Sequence, residues 1–145
     1  MIKILPGRVL GVDLGAKRIG LALSDPTRTV ASPHSVLLRG RSHEVDHQAI
    51  VATAREADAT AIVVGLPLSL SGREGPAAGA AREFATALAA RLDGGVPVVF
   101  SDERLTTVVA TRQMRESGRK GRRQRAVVDQ VAAVAILQGW LDARR

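Results

Sequence analysis

Cysteine and tyrosine are absent from this 145-residue chain, and aromatic residues make up only 2% of it. Without cysteine there are no disulfides, no zinc–thiolate sites and no cysteine nucleophile. With two phenylalanines and one tryptophan, base stacking on aromatic platforms cannot be the main mode of any nucleic-acid binding. Recognition would rest on backbone and shape. Long apolar runs are missing too, and none approaches the ~20 residues that span a bilayer. The opening Met1-Ile2-Lys3-Ile4-Leu5-Pro6 is too short and too soon broken for a secretory signal. The expectation is a cytoplasmic protein with no membrane partner.

What is present suits one globular domain over residues 1–145. The hydrophobic fraction is 46%, and a chain of this size buries about two-thirds of its unfolded surface. The net charge of +7 is unevenly spread. Residues 1–110 hold twelve basic and eleven acidic residues, whereas residues 111–145 hold nine and three. Gly118-Arg119-Lys120-Gly121-Arg122-Arg123-Gln124-Arg125 places five cations in eight positions. Such a cluster focuses an attractive field for a polyanion. It reads as a nucleic-acid contact, with a solvated surface loop as the plain alternative. No strongly amphipathic anchoring helix accompanies it, which argues against a lipid surface.

Apolar periodicity and turn residues divide the chain. Val9–Asp13 and Ile19–Ser24 read as strands joined by a hairpin through Gly15 and the Lys17-Arg18 pair. Thr29–Leu38 reads as a third strand, in which Pro33 implies an edge position or a bulge. Glu44–Ala57 reads as a helix capped by Ser42. Ala61–Val64 is a short strand ended by Gly65-Leu66-Pro67, and Leu68–Gly79 is loop-like. Pro76 begins a helix to about Leu92, closed by Gly94-Gly95. Val96–Phe100 reads as a buried strand, Thr106–Ser117 as a helix stopped by Gly118, and Ala126–Ala143 as the last helix. Three strands followed by strand–helix alternation imply one mixed sheet with helices on its faces.

Three separated acids carry the candidate chemistry. Asp13 stands where an apolar strand meets a glycine turn. There it can meet solvent, a metal and a ligand, whereas mid-strand it would be costly to desolvate. Gly11, Gly15 and Gly20 would let a phosphate backbone or a metal come close. Glu103 follows the Val96–Phe100 strand by three positions beside Asp102. One of the pair faces the site; Glu103 is favoured for metal and Asp102 for support, while Ser101 or Asp102 can instead cap the next helix. Asp129 interrupts an apolar run and shares a helix face with Ala132, Ala133 and Ile136. An unpaired anion there is expensive, so it either helps hold a metal or pairs with a cation such as Arg125. A turn residue bonding its own backbone is the plain alternative for Asp13. Oxygen ligands of this kind suit Mg²⁺ or Mn²⁺, and two such ions about 4 Å apart can activate water and stabilise the departing 3′ oxygen of a phosphodiester. Lys17, Arg18 and Arg104 are candidates for phosphate contact, together with Arg119, Lys120, Arg122, Arg123 and Arg125. His34, His43 and His47 read as loop or helix-surface residues.

Four blocks resemble one family in order: Gly11-Val12-Asp13-Leu14-Gly15-Ala16-Lys17-Arg18-Ile19-Gly20-Leu21-Ala22-Leu23-Ser24-Asp25, Val64-Gly65-Leu66-Pro67, Asp102-Glu103-Arg104-Leu105-Thr106-Thr107 and Val128-Asp129-Gln130-Val131-Ala132-Ala133. The chain resembles the YqgF family, also called the RuvX or pre-16S rRNA nuclease family, from about Arg8 to Leu141. The resemblance implies an α/β, RNase H-like domain related to Holliday-junction resolvases. Its five-stranded mixed sheet, flanked by helices, would have the order 3-2-1-4-5. It maps the catalytic, metal-holding acids to Asp13, Glu103 and Asp129, with Gly15, Gly65, Pro67, Asp102 and Thr106 in support. It implies a divalent-metal-dependent nuclease acting in 5′-end maturation of pre-16S rRNA, with resolution of branched DNA as the alternative substrate. The chain departs from the family at Ser71, where Asn/Asp-Gly commonly follows the Gly-Leu-Pro block. That leaves the acidic trio intact and the role of the Leu68–Gly79 loop open.

Two rival accounts remain. The opening block also resembles the first phosphate loop of actin-like and sugar-kinase ATPases, but that fold needs two such domains and 145 residues supply one. A non-catalytic RNA-binding assembly factor would leave the acids structural and put the function in the basic loop. The chain is expected as a monomer or homodimer. Resolving a four-way junction would require a dimer, and the apolar surface of the helix from Pro76 to Leu92 is one candidate interface.

Overall fold

The computed structural model describes residues 4–67, 71–92, 95–102 and 122–144. Strands β1 (Val9–Leu14), β2 (Arg18–Ser24) and β3 (Ala31–Leu38) lead into helix α1 (His43–Glu56). Strand β4 (Ala61–Leu66), helix α2 (Pro76–Ala89), strand β5 (Val98–Asp102) and helix α3 (Arg122–Ala143) follow. The expected helix over Thr106–Ser117 lies outside the described residues, as does Gly94 of the expected glycine stop.

The five strands form one mixed sheet in the order β3-β2-β1-β4-β5, as the family resemblance implied. β1 pairs antiparallel with β2 and parallel with β4. The amide of Gly15 donates to the carbonyl of Arg18 at 2.9 Å and closes the β1–β2 hairpin. Pro33 meets both of its expected positions. β3 is the sheet edge, and its register slips where Leu21 pairs with Ser35 but Ala22 pairs with Pro33. His34 is the extra residue, so the missing N–H of proline interrupts no regular ladder.

Local chemistry sets the helix ends. Ser42 caps α1 by accepting from the Val45 amide, and Glu44 and Asp46 sit in the first turn beside the positive end of the dipole. Past the last turn Asp58 adopts a left-handed conformation (φ 52°). The amides of Asp58 and Ala59 reach back to the carbonyls of Arg55 and Ala54. Aspartate here fills a role glycine usually takes. Pro76 opens α2, where its missing N–H costs nothing. α3 begins at Arg122, four residues before the expected start. Arg-Arg-Gln-Arg are good helix formers and no breaker follows Gly121, so the end of the basic cluster is helical rather than loop.

The two sheet faces carry separate cores. Leu10, Val12, Leu21 and Ile62 pack against Ile50 of α1 and Phe84 and Leu88 of α2. Val9, Ala22, Ala61 and Val63 pack against Ile136, Leu137 and Trp140 of α3. β1 is therefore buried on both sides, and successive residues along it face different helices. The apolar face of α2, a candidate dimer surface from its sequence, is turned inward: Ala78, Ala81, Phe84, Ala85 and Leu88 are buried. No helix among the described residues is long and apolar enough to cross a membrane.

Candidate functional site

Asp13 is the fifth residue of the six in β1. By strand alternation it shares a face with Val9 and Gly11, the face that α3 covers. It is fully buried. The expected meeting with solvent at a strand end therefore does not occur, because α3 passes over that end of the strand.

Asp129, 2% exposed, lies in the N-terminal half of α3 with Ala132, Ala133 and Ile136, all fully buried. Their shared face is the one the spacing of three, four and seven predicts. Gly20 of β2 connects the two acids. It is the cross-strand partner of Asp13, and a side chain there would collide with the backbone carbonyl of Asp129 and come within 3.3 Å of the Ala133 Cβ. In the neighbouring strand, a Cβ on Gly11 would stand 2.7 Å from that of Leu137. Gly11 and Gly20 thus do not open space for a phosphate or a metal, as the sequence suggested. They form a bare strip on the sheet into which α3 settles, and that approach carries Asp129 to the face where Asp13 stands.

Two carboxylates buried on one face form a hard-oxygen donor set that suits a divalent cation. Both also interact with other groups of the chain. Among the described residues no three His, Asp or Glu side chains gather in metal-holding geometry. Glu103, the third expected ligand, lies outside the described residues, as do Arg104, Thr106, Arg119 and Lys120.

β5 extends to Asp102, two residues beyond the expected strand end, with Asp102 paired to Leu66. Ser101, 7% exposed, shares the α3 face with Val99. Asp102 falls with Phe100 and Leu66 on the opposite face. Arg18 is two residues before Gly20 and therefore on the α3 face with Asp13 and Asp129. Lys17 is exposed in the hairpin turn, and its carbonyl accepts from the Arg39 amide at 3.0 Å. Arg122, Arg123 and Arg125 open α3; their side chains lie outside the described set. Gly15, Gly65 and Pro67 line a cleft at the ends of β1 and β4, on the α1/α2 side of the sheet.

Three residues around this cleft escaped the sequence reading. Arg39 donates to the Gly15 carbonyl at 3.0 Å and to Asp46 at 3.2 Å, and its guanidinium lies 5.6 Å from the Phe84 ring centre. It ties the hairpin that follows Asp13 to both α1 and α2. Asp46, 3% exposed, also accepts from the Gly40 amide at 2.8 Å. His47 is a correction: it is 2% exposed rather than on the helix surface. It packs against Phe84 at 4.3 Å between ring centres. Burial, with the charges of Arg91 and His43, pushes its pKa below the usual histidine value. Helical spacing carried the signal, since positions 46 and 47 stand four and three residues before Ile50 on the apolar stripe. His34 and His43 are exposed, as read.

A family model described as RuvX, Holliday junction resolvase, matches residues 7–143. A protein of Mycobacterium sp. (strain KMS) named "Putative pre-16S rRNA nuclease" is 48% identical over 139 residues, covering 96% of this chain and 82% of the relative. A protein of the same name from Rhodococcus erythropolis is 47% identical over 141 residues, covering 95% and 79%. Among solved structures, Thermus thermophilus RuvC in complex with a Holliday junction substrate superposes with a TM-score of 0.58 at 16% identity, covering 95% of each chain. RuvC from the same organism in a second structure gives 0.55 at 17% identity, covering 94% of this chain and 95% of that one. At those identities the likeness is one of fold.

Proposed function

The chain belongs to the RuvX family, and from that premise we propose that it is a divalent-metal-dependent nuclease hydrolysing phosphodiester bonds, in 5′-end maturation of pre-16S rRNA. The observation that carries the reading is the convergence of Asp13 and Asp129 on one sheet face through the bare Gly20 position. Two buried acids brought together from residues more than a hundred apart are costly to a fold that does not use them.

Asp13 and Asp129, joined by Glu103 as the next residue after β5, would hold Mg²⁺ or Mn²⁺; when bound, such ions activate water and offset charge on the reacting phosphate. The protein's own part is positioning. The sheet fixes Asp13, α3 fixes Asp129, and the packing between them excludes bulk water, which strengthens every charge interaction inside. Arg18 offers a guanidinium on the same face for a phosphate oxygen. Asp102, turned to the other face, supports the strand end rather than the reaction. Lys17, Arg104 and the basic cluster from Arg119 to Arg125 would hold flanking phosphates.

The family model's own description favours branched DNA as the second reading. Matched pre-rRNA, single-stranded RNA and four-way DNA junctions, each with Mg²⁺ or Mn²⁺, decide between the two. Asp13→Asn must abolish whatever cleavage is seen. Cleavage that survives in Asp13→Asn comes from a contaminant and sinks the proposal.

A further inference from the structure

The strand ends have a second side that the nuclease reading leaves unused. Asp13 faces α3, and its neighbour Leu14 faces α1 and α2. Beyond Leu14 lies a cavity of about 520 Å³. Gly15 and Pro67 form its strand-end wall and Ala77, Ala80 and Phe84 its helix wall, with Arg39 and His43 at the rim. Ala77 and Ala80 are exposed, so the helix wall is open to solvent. The volume falls in the range of small-molecule pockets, ~300–1,000 Å³, and apolar walls with a few polar groups at the mouth are their usual make-up.

The occupant follows from continuity and charge. Adjacent Cα atoms are about 3.8 Å apart, so a nucleic-acid strand whose phosphate rests at Asp13 has only the sheet edge to cross before its next unit reaches this cavity. A nucleoside has flat apolar faces and polar edges, matching the walls and the rim. Arg39 carries five N–H donors; Asp46 and Gly15 take two, and the others have no partner among the described residues. Gly15 has no side chain to hold a sugar–phosphate away. A base still paired in a duplex cannot make this turn, because it would have to leave its stack.

We propose that this cavity receives the unpaired nucleoside next to the phosphodiester that is cut, which makes the enzyme selective for a strand leaving its duplex at that point. The proposal rests on the nuclease reading and names the substrate class of that site. The test uses the full chain with Ala80→Trp and, separately, Ala77→Trp, both of which fill the cavity from exposed positions of α2 without touching the acids. Binding of fluorescent single-stranded and blunt duplex RNA is measured by anisotropy in EDTA, and cleavage with Mn²⁺. The expected result is a loss of single-strand affinity of about tenfold, with duplex affinity unchanged and wild-type thermal unfolding. Cleavage of single-stranded flanks should fall in parallel.

Wild-type single-strand affinity in both variants, or equal loss on both substrates, overturns the assignment. Displacement of the strand by adenosine 5′-monophosphate at matching affinity would make this a free-nucleotide site and overturns it too. If the wild type cleaves nothing, the nuclease reading fails, while the anisotropy comparison still decides who occupies the cavity.

Discussion

Gly20 receives the backbone carbonyl of Asp129 at the place where any other residue would carry its Cβ. The same glycine sits opposite Asp13 in the β1–β2 ladder. A position with no chemistry of its own therefore sets the spacing between two acids that have it. Gly20→Ala should push α3 outward, lower stability by ~1–3 kcal/mol as overpacked sites do, and reduce cleavage far more than stability. Gly11→Ala is the control. It presses on Leu137, two turns further along α3, and should cost similar stability with a smaller loss of activity. Urea unfolding and single-turnover cleavage on both variants check the contrast.

Asp13→Asn and Asp129→Asn should each lower cleavage by a factor on the order of 10² or more, the scale of removing a positioned charge at the reacting centre. Neither should lower stability in metal-free buffer, since each relieves the burial of an anion. The wild type should gain thermal stability with added Mn²⁺, and both variants should lose that gain. A melting series with and without Mn²⁺ separates ligands from structural acids.

The Arg39–Asp46 pair joins the hairpin after Asp13 to α1. Arg39→Ala leaves the buried Asp46 carboxylate with the Gly40 amide as its partner. The expected cost is ~3 kcal/mol, the low end for breaking a buried pair, because Arg39 keeps some solvent contact. Asp46→Asn should cost less, and a double-mutant cycle measured in urea should show the two as coupled.

His47 makes stability depend on pH. Its pKa is depressed in the folded chain, first by burial and then by the charges of Arg91 and His43. Below the ordinary histidine value of ~6.5 the unfolded chain therefore binds more protons than the folded one. Stability should fall as pH drops from that value and level off below the folded-state pKa. Both ring nitrogens lack a hydrogen-bond partner among the described residues, so His47→Leu should melt at or above wild type at neutral pH. It should also lose the acid-side slope, and thermal melts across that range read both effects.

Replacing Arg119, Lys120, Arg122, Arg123 and Arg125 with glutamine should weaken binding of all RNA and DNA substrates alike. The dependence of log affinity on log salt should flatten by ~0.7–0.9 for each phosphate that is no longer neutralised. Selective weakening on one sequence would show instead that the cluster reads bases.

Strand existence was legible because apolar alternation and turn residues are local signals. The first four strands and both flanked helices lie within a few residues of where composition put them. The acids were legible as anomalies, since Asp129 breaks an apolar helix face. The glycines were misread. A missing side chain in a sequence says that something comes close, and only the fold shows that the visitor is α3. Asp46 and His47 were readable from the stripe shared with Ile50. Arg39 was not, since its partners Gly15, Asp46 and Phe84 belong to three different parts of the fold.

The order of residues alone determined the elements, which strands run apolar on both sides and which acids stand out, because these depend on neighbours a few positions away. Which face of β1 each residue meets, how near α3 rides, and whether Asp13 and Asp129 share a face were decided by packing. Those outcomes depend on approaches between residues more than a hundred positions apart, where the space left by Gly20 matters more than any local preference.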